Sequence, residues 1–510
     1  MTTREQQRIR ALWALSVAML LAIFWLHRRA ERQDASRADD ARGAQQEAAR
    51  VGVVAPVAPG TMPVLRDAGT GVARSRIARV AGNGSYVLVA RDAAALAALR
   101  RALVAAGLRE LGSIEALRML RVGGEADALA RLLAQLPDGI RAEEDRVVWL
   151  PEQNVTGWTG YAGVPFRDKL LLAMNIDRER SDRGDGVLIA LLDTPLLAHA
   201  SLDGANISSY DLFELGVDGA YAGHGTAVAS LLIGQTAELA GIASAASLIS
   251  LPVMSGEGVG SAFQVAEAIF AAVAAGAEVI SMSLGTYDDS AALRAAVAYA
   301  SEHGVVLIAA TGNDGLAQVT YPAAYEQVVA VAAVDARWTH AGFSNSGDAV
   351  DIAAPGVGID VAGSDGVGNE AFSGTSAAVP CVSGALACVL ADEPALSAQD
   401  AMALLLAYSN DNGAAGADPL YGEGVLAYDR VVERDQPGIY DAAAAGHAAL
   451  YADATAGFLP IQISAQNRGT EPLPQLLLTV VLAGRETVFT RKFEGFSTQS
   501  CLIFFFLLEM

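Results

Sequence analysis

Five short apolar runs organise the middle of the chain, and they are largely continuous rather than alternating. The runs are Val187–Leu192, Ala246–Val253, Glu278–Ser283, Val305–Ala310 and Val328–Val334. Such runs are typical of parallel strands that are buried on both faces. Helical stretches separate several of them and lie at Gly225–Ile233, Ala262–Ala275 and Ser290–Glu302. Over residues 164–435 the pattern predicts an α/β fold, with a doubly wound, mostly parallel sheet and helices on both faces.

A mixed pattern of strands and helices precedes this region. Strands are predicted at Tyr86–Ala90, Ala116–Val122 and Arg146–Leu150, with helices at Ala93–Ala106 and Glu125–Leu136. Gly107 directly follows the first helix, where glycine commonly ends helical geometry. The order of elements predicts a small α+β module over residues 80–150, and this module contains no catalytic cluster of its own.

The C-terminal region, residues 436–510, has a pattern of antiparallel strands. Three strands are predicted, at Leu459–Ala465, Gln475–Leu482 and Thr487–Phe493. The final apolar run, Cys501–Leu508, is too short to cross a bilayer. Two interpretations of this run stay open: the polypeptide is truncated there, or the run packs against a partner. We expect a short β-rich segment, which is incomplete if the first interpretation holds.

The N-terminal segment, residues 1–29, has the pattern of a membrane-directed signal sequence. Ala11–Leu26 is apolar apart from Ser16, and arginines flank it on both sides. Its length favours an uncleaved signal anchor over a removed signal peptide, which is the alternative. The arginines on both flanks leave the orientation undecided by the positive-inside rule. A polar stalk, residues 30–79, follows. The folded domains are therefore expected outside the membrane or in the periplasm, either tethered or secreted.

Composition narrows the partners of this 510-residue chain. The formal net charge is −22, and an acidic chain repels phosphate backbones, so no nucleic-acid partner is expected. Two of the three cysteines, Cys381 and Cys388, lie seven residues apart on a predicted helix. That spacing puts them about 10 Å apart along the helix axis, which is too far for a disulfide. The cysteines therefore indicate neither a disulfide framework nor a metal site, and these two are expected in the core.

Four polar residues stand where such a sheet exposes its strand ends. Asp193 follows the first apolar run, Asn313 follows the fourth, and His224 opens a helix between two glycines. Ser376 lies at the start of a helix predicted over residues 377–390, where unpaired N–H groups favour negative charge. A serine nucleophile needs a base, the base needs a carboxylate, and the tetrahedral intermediate needs hydrogen-bond donors. Each residue alone is as readily a cap or a turn residue, but together they predict an acyl-transfer site.

The motifs around these residues resemble those of the subtilisin-like serine peptidases, the subtilases. They are Leu191-Leu-Asp-Thr194, Gly223-His-Gly-Thr226, Ala309-Ala-Thr-Gly-Asn-Asp314 and Gly374-Thr-Ser-Ala-Ala-Val-Pro380. The order Asp, His, Ser along the chain is that of the family. A further family motif is Ala353-Ala-Pro-Gly356, and the resemblance spans about residues 164–435.

The resemblance implies a role for each residue. Ser376 would be the nucleophile, His224 the general base and acid, and Asp193 the carboxylate that orients the imidazole. Asn313 would donate a hydrogen bond to the oxyanion. Two backbone segments would hold an extended substrate between them. The substrate-binding residues expected on this basis are Gly256, Gly258, Ser283, Leu284, Gly285 and Gly312.

The chain departs from the family pattern close to three of the motifs. The departures are Pro195, Ala227, Ala377 and Cys381. None of them is a triad residue, so they put the subfamily and the pocket details in doubt and leave the reaction unchanged. A sedolisin-like peptidase would share the Gly-Thr-Ser turn but would use Glu in place of His. The glycine-flanked His224 argues against that family.

The resemblance implies a serine endopeptidase that is made as an autoprocessed zymogen. The module of residues 80–150 would be an inhibitory propeptide whose last strand fills the cleft, with self-cleavage between Leu150 and Gly163. Protein or peptide substrates, a monomer and no required cofactor are expected. The family often binds structural calcium, but no loop here is diagnostic of its ligands. Two alternatives stay open: a catalytically inactive binding or scaffold protein of this fold, and a protein anchored to a wall or partner by its C-terminal segment.

Overall fold

The computed structural model describes residues 84–135, 140–151, 163–449, 458–480, 489–498 and 501–509. The predicted signal anchor, residues 1–29, and the stalk, residues 30–79, lie outside the described residues. Most of the segment predicted to contain the self-cleavage site, residues 152–162, also lies outside them. All of the described residues belong to one structural unit, which begins at Gly69.

The N-terminal module is an antiparallel sheet that packs against two helices. Its elements are β1 (Ser85–Ala90), α1 (Ala93–Ala105), β2 (Arg109–Ile114), β3 (Met119–Gly123), α2 (Ala126–Gln135), β4 (Ile140–Glu144) and β5 (Val147–Trp149). The sheet has the strand order β2-β3-β1-β4. Leu88, Leu99 and Leu120 are fully buried between the sheet and the helices. The side chain of Asp92 caps α1 by accepting the N–H of Ala95 at 2.7 Å.

Two strands of this module do not appear in the sequence-based prediction. They are β2 and β4, the two edge strands of the sheet, and both are rich in charged or exposed residues. Edge strands are commonly charged, so they lack the apolar pattern that identifies a buried strand. The strand predicted at Ala116–Val122 is also wrong at its start. A 3₁₀ turn at Glu115–Leu117 delays it to Met119.

A larger α/β region follows, and a seven-stranded sheet lies at its centre. Its strands and those beside it are β6 (Leu188–Asp193), β7 (Ile207–Ser209), β8 (Ser247–Pro252), β9 (Val259–Ser261), β10 (Val279–Met282), β11 (Val306–Ala310), β12 (Val328–Val334), β13 (Ile352–Pro355), β14 (Ile359–Ala362) and β15 (Asn369–Phe372). Its helices are α3 (Leu170–Ala173), α4 (His224–Ile233), α5 (Ala262–Ala274), α6 (Ala291–Glu302), α7 (Thr375–Asp392), α8 (Ala398–Ala407) and α9 (Tyr428–Glu433).

The central sheet confirms the predicted doubly wound architecture. Its strands pair in parallel in the order β13-β12-β11-β10-β6-β8-β7, while β14 and β15 form a separate antiparallel pair. The five predicted strands are present, and β7 and β13 extend the sheet at its two edges. Neither was predicted: β7 has two serines among its three residues, and β13 ends in Pro355, a residue that weakens a strand signal.

Alternate residues of the central strands enter two different cores. In β6, Ile189 and Leu191 pack in one core with α4 and α7, whereas Ala190 and Leu192 pack in the other with α5 and α6. Helices therefore cover both faces of the sheet. Nearly every position along such a strand is buried, which is why the strands are largely continuous apolar runs.

The helix α7 lies within the core on the α4 side of the sheet. Its residues from Thr375 to Leu390 are buried, and small side chains allow close packing; a Cβ at Gly384 would lie 2.6 Å from Ile242. Among the described helices, α7 alone is long and apolar enough to cross a membrane, but 89% of it is buried inside the protein. Cys381 and Cys388 are buried free thiols on this helix, and burial raises the pKa of Cys388 to about 12.

The C-terminal segment is β-rich, as predicted, but it contains more strands than the sequence suggests. They are β16 (Ala442–Ala449), β17 (Phe458–Asn467), β18 (Leu473–Val480), β19 (Phe489–Phe496) and β20 (Cys501–Glu509). β17 pairs with β16 and β20, and β18 pairs with β19, all antiparallel. β16 is made mostly of alanine, which has a low strand propensity. The final apolar run, left open by the sequence, pairs with β17 of the same chain.

Candidate active site

Three neighbouring strands bring polar residues to the same end of the sheet. Met282 of β10 lies opposite Leu192 of β6 on one side and Ala309 of β11 on the other. Asp193 and Ser283 are therefore the next residues on two adjacent parallel strands, and Asn313 follows shortly after the third. The carboxyl ends of parallel strands are where such folds bind ligands. The topology of the sheet thus gathers segments that are far apart in the sequence.

Asp193 and His224 form a buried, hydrogen-bonded pair. Nδ1 of His224 lies 2.6 Å from Oδ1 of Asp193, and their side chains are 0% and 1% exposed. The same carboxylate oxygen accepts the N–H of Thr194 at 2.7 Å. A carboxylate at Nδ1 fixes the orientation of the imidazole ring and favours the tautomer in which Nε2 can accept a proton.

Each member of this pair also has one polar atom without a hydrogen-bond partner. Nε2 of His224 and Oδ2 of Asp193 are buried and form no hydrogen bond. Polar atoms in protein interiors are normally paired, and exceptions are found at catalytic positions. A neutral imidazole with an unpaired Nε2 has the chemistry of a general base.

The turn that begins α4 is tied closely to the loop that follows β6. The N–H of Gly225 donates to Oγ1 of Thr194 at 2.9 Å, and Oγ1 of Thr226 accepts the N–H of Leu197 at 2.7 Å. These bonds join the two residues that follow His224 to the residues that follow Asp193. The glycine-flanked histidine motif therefore folds locally so that the imidazole reaches the carboxylate.

Ser376 lies in the first turn of α7 and is bound to the end of β10. Oγ of Ser283 donates to the carbonyl oxygen of Ser376 at 3.1 Å, and Oγ of Ser376 donates weakly to the carbonyl oxygen of Ser283 at 3.5 Å. Ser283 directly follows β10, which pairs with β6, the strand that ends at Asp193. The ring of Phe372, four residues before Ser376, contacts the ring of His224 with centroids 5.4 Å apart. These contacts bring the serine turn to the Asp193–His224 pair.

Nδ2 of Asn313 and the backbone nitrogen of Ser376 border the same small space. Oδ1 of Asn313 accepts both the N–H and the hydroxyl of Thr375, each at 2.8 Å. A Cβ at Gly374 would lie 2.8 Å from Nδ2 of Asn313 and 3.6 Å from the backbone nitrogen of Ser376. Gly374 has φ of +148°, a conformation that favours glycine. The site therefore has two donors around a position that only a residue without a side chain leaves open.

A strand of the N-terminal module occupies the cleft beside these residues. β5 pairs antiparallel with β9, and Trp149 exchanges two hydrogen bonds of 3.0 Å with Gly285. The N–H of Leu150 donates to the carbonyl of Gly258 at 3.0 Å, and the side chains of Val148 and Leu150 are buried. The chain is thus held between two backbone segments by strand addition.

Two carboxylates of the N-terminal module accept hydrogen bonds from the first turns of the helices α5 and α6. Oε1 of Glu143 accepts the N–H of Ala291, the first residue of α6, at 2.9 Å. Oδ1 of Asp145 accepts the N–H of Phe263, in the first turn of α5, at 3.2 Å. Asp145 also forms a 2.7 Å ion pair with Arg121. Burial raises the pKa of Glu267, which faces the module from α5, to about 7. The module thus adds a negative charge at the positive end of each helix, next to the N-cap serines Ser261 and Ser290.

The structure distributes the six predicted substrate-binding residues unevenly around the cleft. Gly258 and Gly285 hydrogen-bond to the strand in the cleft, and Ser283 contacts Ser376. Leu284 is buried, and Gly312 lies in the turn that carries Asn313. Gly256 instead bonds to Gly216 and Tyr221. Those bonds support the loop that precedes β9.

Three residues of this region were missed by the sequence-based reasoning. Thr375 anchors Asn313 through two hydrogen bonds, Asn345 hydrogen-bonds to the backbone around Asn313, and Tyr287 bridges Asp314 and Asn345. Their partners lie far away in the chain, so no spacing in the sequence identifies them. Within the described ranges, no cluster of three or more His, Cys, Asp or Glu residues is placed to hold a metal ion. The structural calcium allowed by the resemblance stays an expectation.

Comparison with known proteins defines the class. A sequence profile of the subtilase family matches residues 184–424, a range that includes all four candidate catalytic residues. The thermophilic serine proteinase of Bacillus sp. (strain AK1) is 36% identical over 278 residues, which are 53% of this chain and 67% of the relative. Subtilisin Savinase of Lederbergia lenta is 35% identical over 246 residues, which are 48% of this chain and 89% of the relative.

A solved structure supports the fold. Fervidolysin from Fervidobacterium pennivorans, a keratinolytic enzyme related to subtilisin, superposes with a TM-score of 0.58. The two chains are 20% identical, and the match covers 82% of this chain and 77% of fervidolysin. The fold and the sequence matches define a serine peptidase of the subtilisin-like class. The chain belongs to the subtilase family, and it is a serine endopeptidase that acts on protein substrates.

Proposed function

We propose that the protein cleaves peptide bonds through an acyl-enzyme on Ser376, with His224 as general base and acid and Asp193 as its orienting carboxylate. The observation that carries this proposal is the buried 2.6 Å contact between Asp193 and Nδ1 of His224, together with the unpaired Nε2. A general-base role would account for a buried imidazole that keeps one nitrogen unpaired near the turn that carries Ser376.

In the first half of the reaction, Oγ of Ser376 attacks the peptide carbonyl while Nε2 of His224 takes the hydroxyl proton. The carbon–oxygen bond forms, and the carbonyl electron pair moves to the oxygen, where the Asn313 amide and the Ser376 N–H stabilise it. Asp193 stabilises the imidazolium. His224 then protonates the leaving amine as the carbon–nitrogen bond breaks. Water repeats the sequence on the acyl-enzyme and releases the new carboxylate.

Substrates are proposed to bind as the segment 147–150 does, as an extended strand between β9 and Gly285. Continuing the antiparallel register from the Trp149–Gly285 pair brings Pro151 opposite Ser283, next to Ser376. The residues that follow Pro151 would therefore meet the nucleophile first. On this basis the N-terminal module is an inhibitory propeptide, and self-cleavage occurs between Leu150 and Gly163.

Self-cleavage there has a consequence for location. We propose that residues 1–29 tether the zymogen to the membrane, with the catalytic domain outside the cell or in the periplasm. The tether precedes the module in the chain, so cutting after the module separates the catalytic domain from it. The enzyme would thus be made at the membrane and released by its own activity.

Intact-mass analysis of membrane and medium or periplasmic fractions tests both proposals. The wild-type chain should appear as a shortened form that begins between residues 151 and 163, while Ser376→Ala stays at full length in the membrane fraction. Identical masses for the two proteins would contradict self-processing. A shortened Ser376→Ala protein would assign the cut to another protease, and a full-length Ser376→Ala protein found in the cytosol would contradict the tether.

A further inference from the structure

Tyr287 touches the strand that occupies the cleft. It lies two residues after Gly285, which pairs with Trp149, and its side chain is partly buried. The rings of Tyr287 and Trp149 have centroids 5.8 Å apart with their planes tilted by 48°. This separation lies within the range in which aromatic rings attract one another beyond simple burial. The tyrosine ring is therefore one wall of the place that Trp149 occupies.

The hydroxyl group of the same residue belongs to a network around Asp314. It donates to Oδ2 of Asp314 at 2.5 Å and accepts a hydrogen bond from Nδ2 of Asn345 at 2.9 Å. Burial holds the pKa of Tyr287 well above its usual range, and the Asp314 carboxylate acts in the same direction. The phenol therefore keeps its proton at neutral pH and acts as the donor to Asp314.

Asn345 fixes the backbone on both sides of Asn313. Its Oδ1 accepts the N–H groups of Asp314 and Leu316, each at 3.0 Å, and its Nδ2 donates to the carbonyl of Thr311 at 3.1 Å. Gly312 has φ of +107°, and a Cβ there would lie 2.4 Å from Nδ2 of Asn345. The side-chain amide of Asn345 therefore packs closely against the turn of residues 311–316, which contains Asn313.

We propose that Tyr287 is both a specificity-determining and a positioning residue of this peptidase. Its ring favours an aromatic side chain at the place in a bound strand that Trp149 occupies, and its hydroxyl holds the turn that carries Asn313. The inference rests on the proposed function, because it takes the segment 147–150 as the pattern for substrate binding. The same side chain would thus both contact the substrate and help to position the oxyanion donor.

The positioning role is tested with Tyr287→Phe in the self-processed enzyme. This variant keeps the ring and removes the hydroxyl, so kcat should fall about tenfold while KM changes less than twofold. Tyr325→Phe is the matched control. Its hydroxyl donates to Asp289 at 2.8 Å, so it too removes a partly buried hydrogen bond to a carboxylate, but at a place without contact to Asn313. The control should retain wild-type kcat. Equal kcat values for Tyr287→Phe and the wild type would overturn the positioning role.

Because the register brings Pro151 next to Ser376, a substrate residue in the place of Trp149 is the third residue before the bond that is cut. The specificity role is therefore tested with two peptides that differ only by Trp or Ala at that position. The wild type and Tyr287→Phe should prefer the Trp peptide in kcat/KM by about two- to tenfold. Tyr287→Ala should lose that preference. An equal preference in Tyr287→Ala and the wild type would overturn the recognition role and leave the proposed function standing. If the processed wild-type chain cuts neither peptide nor any protein substrate, the proposed function fails, and this inference fails with it.

Discussion

Asn313 uses the two atoms of its side-chain amide for different purposes. Oδ1 accepts two hydrogen bonds from Thr375, whereas Nδ2 borders the space next to Gly374 that the backbone nitrogen of Ser376 also borders. The first set of contacts fixes the position of the residue. The second set of contacts fits the proposed role of Nδ2 as a donor to the oxyanion. A mutation of Asn313 can therefore change the proposed donor while keeping the atom that fixes the position of the residue.

Asn313→Asp keeps the oxygen that Thr375 binds and removes the amide donor. We expect kcat to fall about 100- to 1000-fold with little change in KM, a magnitude known for the equivalent donor of subtilisin itself. Asn412→Asp is a control, since it removes a side-chain donor to Trp338 outside the site. Steady-state kinetics and thermal unfolding of both variants check this prediction. A kcat within threefold of wild type in Asn313→Asp would remove this residue from the mechanism.

At the scale of elements, the N-terminal module and the helices α5 and α6 complete one another. The first N–H groups of an α-helix have no partners within the helix, and negative charge there is favourable. Glu143 and Asp145 meet this need from outside the peptidase domain. Ser261 and Ser290 also cap these helices from within the peptidase region, so the two carboxylates of the module add a second acceptor at each helix start. If the module is cleaved as proposed, these contacts would contribute to how tightly it stays bound.

Glu143→Ala should shorten the delay between self-cleavage and the appearance of activity. Loss of a helix cap typically costs about 1 kcal/mol, which corresponds to about fivefold weaker binding of the module. Glu144→Ala is the matched control, because Glu144 is exposed and makes only a 3.8 Å ion pair with Arg146. Progress curves of activation compare the two variants. The same delay in both would mean that the cap at α6 does not contribute to retention of the module.

Across the whole molecule, the sequence pattern predicts the strands that are buried on both faces and misses the strands at the edges of the sheets. The central strands are largely apolar because helices cover both of their faces, so β6, β8, β10, β11 and β12 could be predicted. The edge strands β2, β4, β7 and β13 are short or charged and carry no comparable signal. β16 consists mostly of alanine, so its sequence does not indicate a strand, and its pairing with β17 stabilises it.

The candidate site also contains residues that the sequence predicts and residues that it does not. Asp193 and Asn313 could be predicted because they follow strands, and His224 and Ser376 because small residues surround them at helix starts. Tyr287 and Asn345 could not, since they act through each other across 58 positions of the chain. Contacts of that kind depend on the completed sheet. The sequence therefore indicates the candidate reactive groups but not the residues that contact and position them.

A fluorophosphonate probe tests the central claim, that His224 and Asp193 make Ser376 a nucleophile, most directly. Such probes react with activated serines, and peptide mapping by mass spectrometry locates the adduct. We predict one adduct on Ser376 in the processed wild-type enzyme and its loss in His224→Ala. An adduct on a different residue, or equal labelling of Ser376 in wild type and His224→Ala, would contradict it.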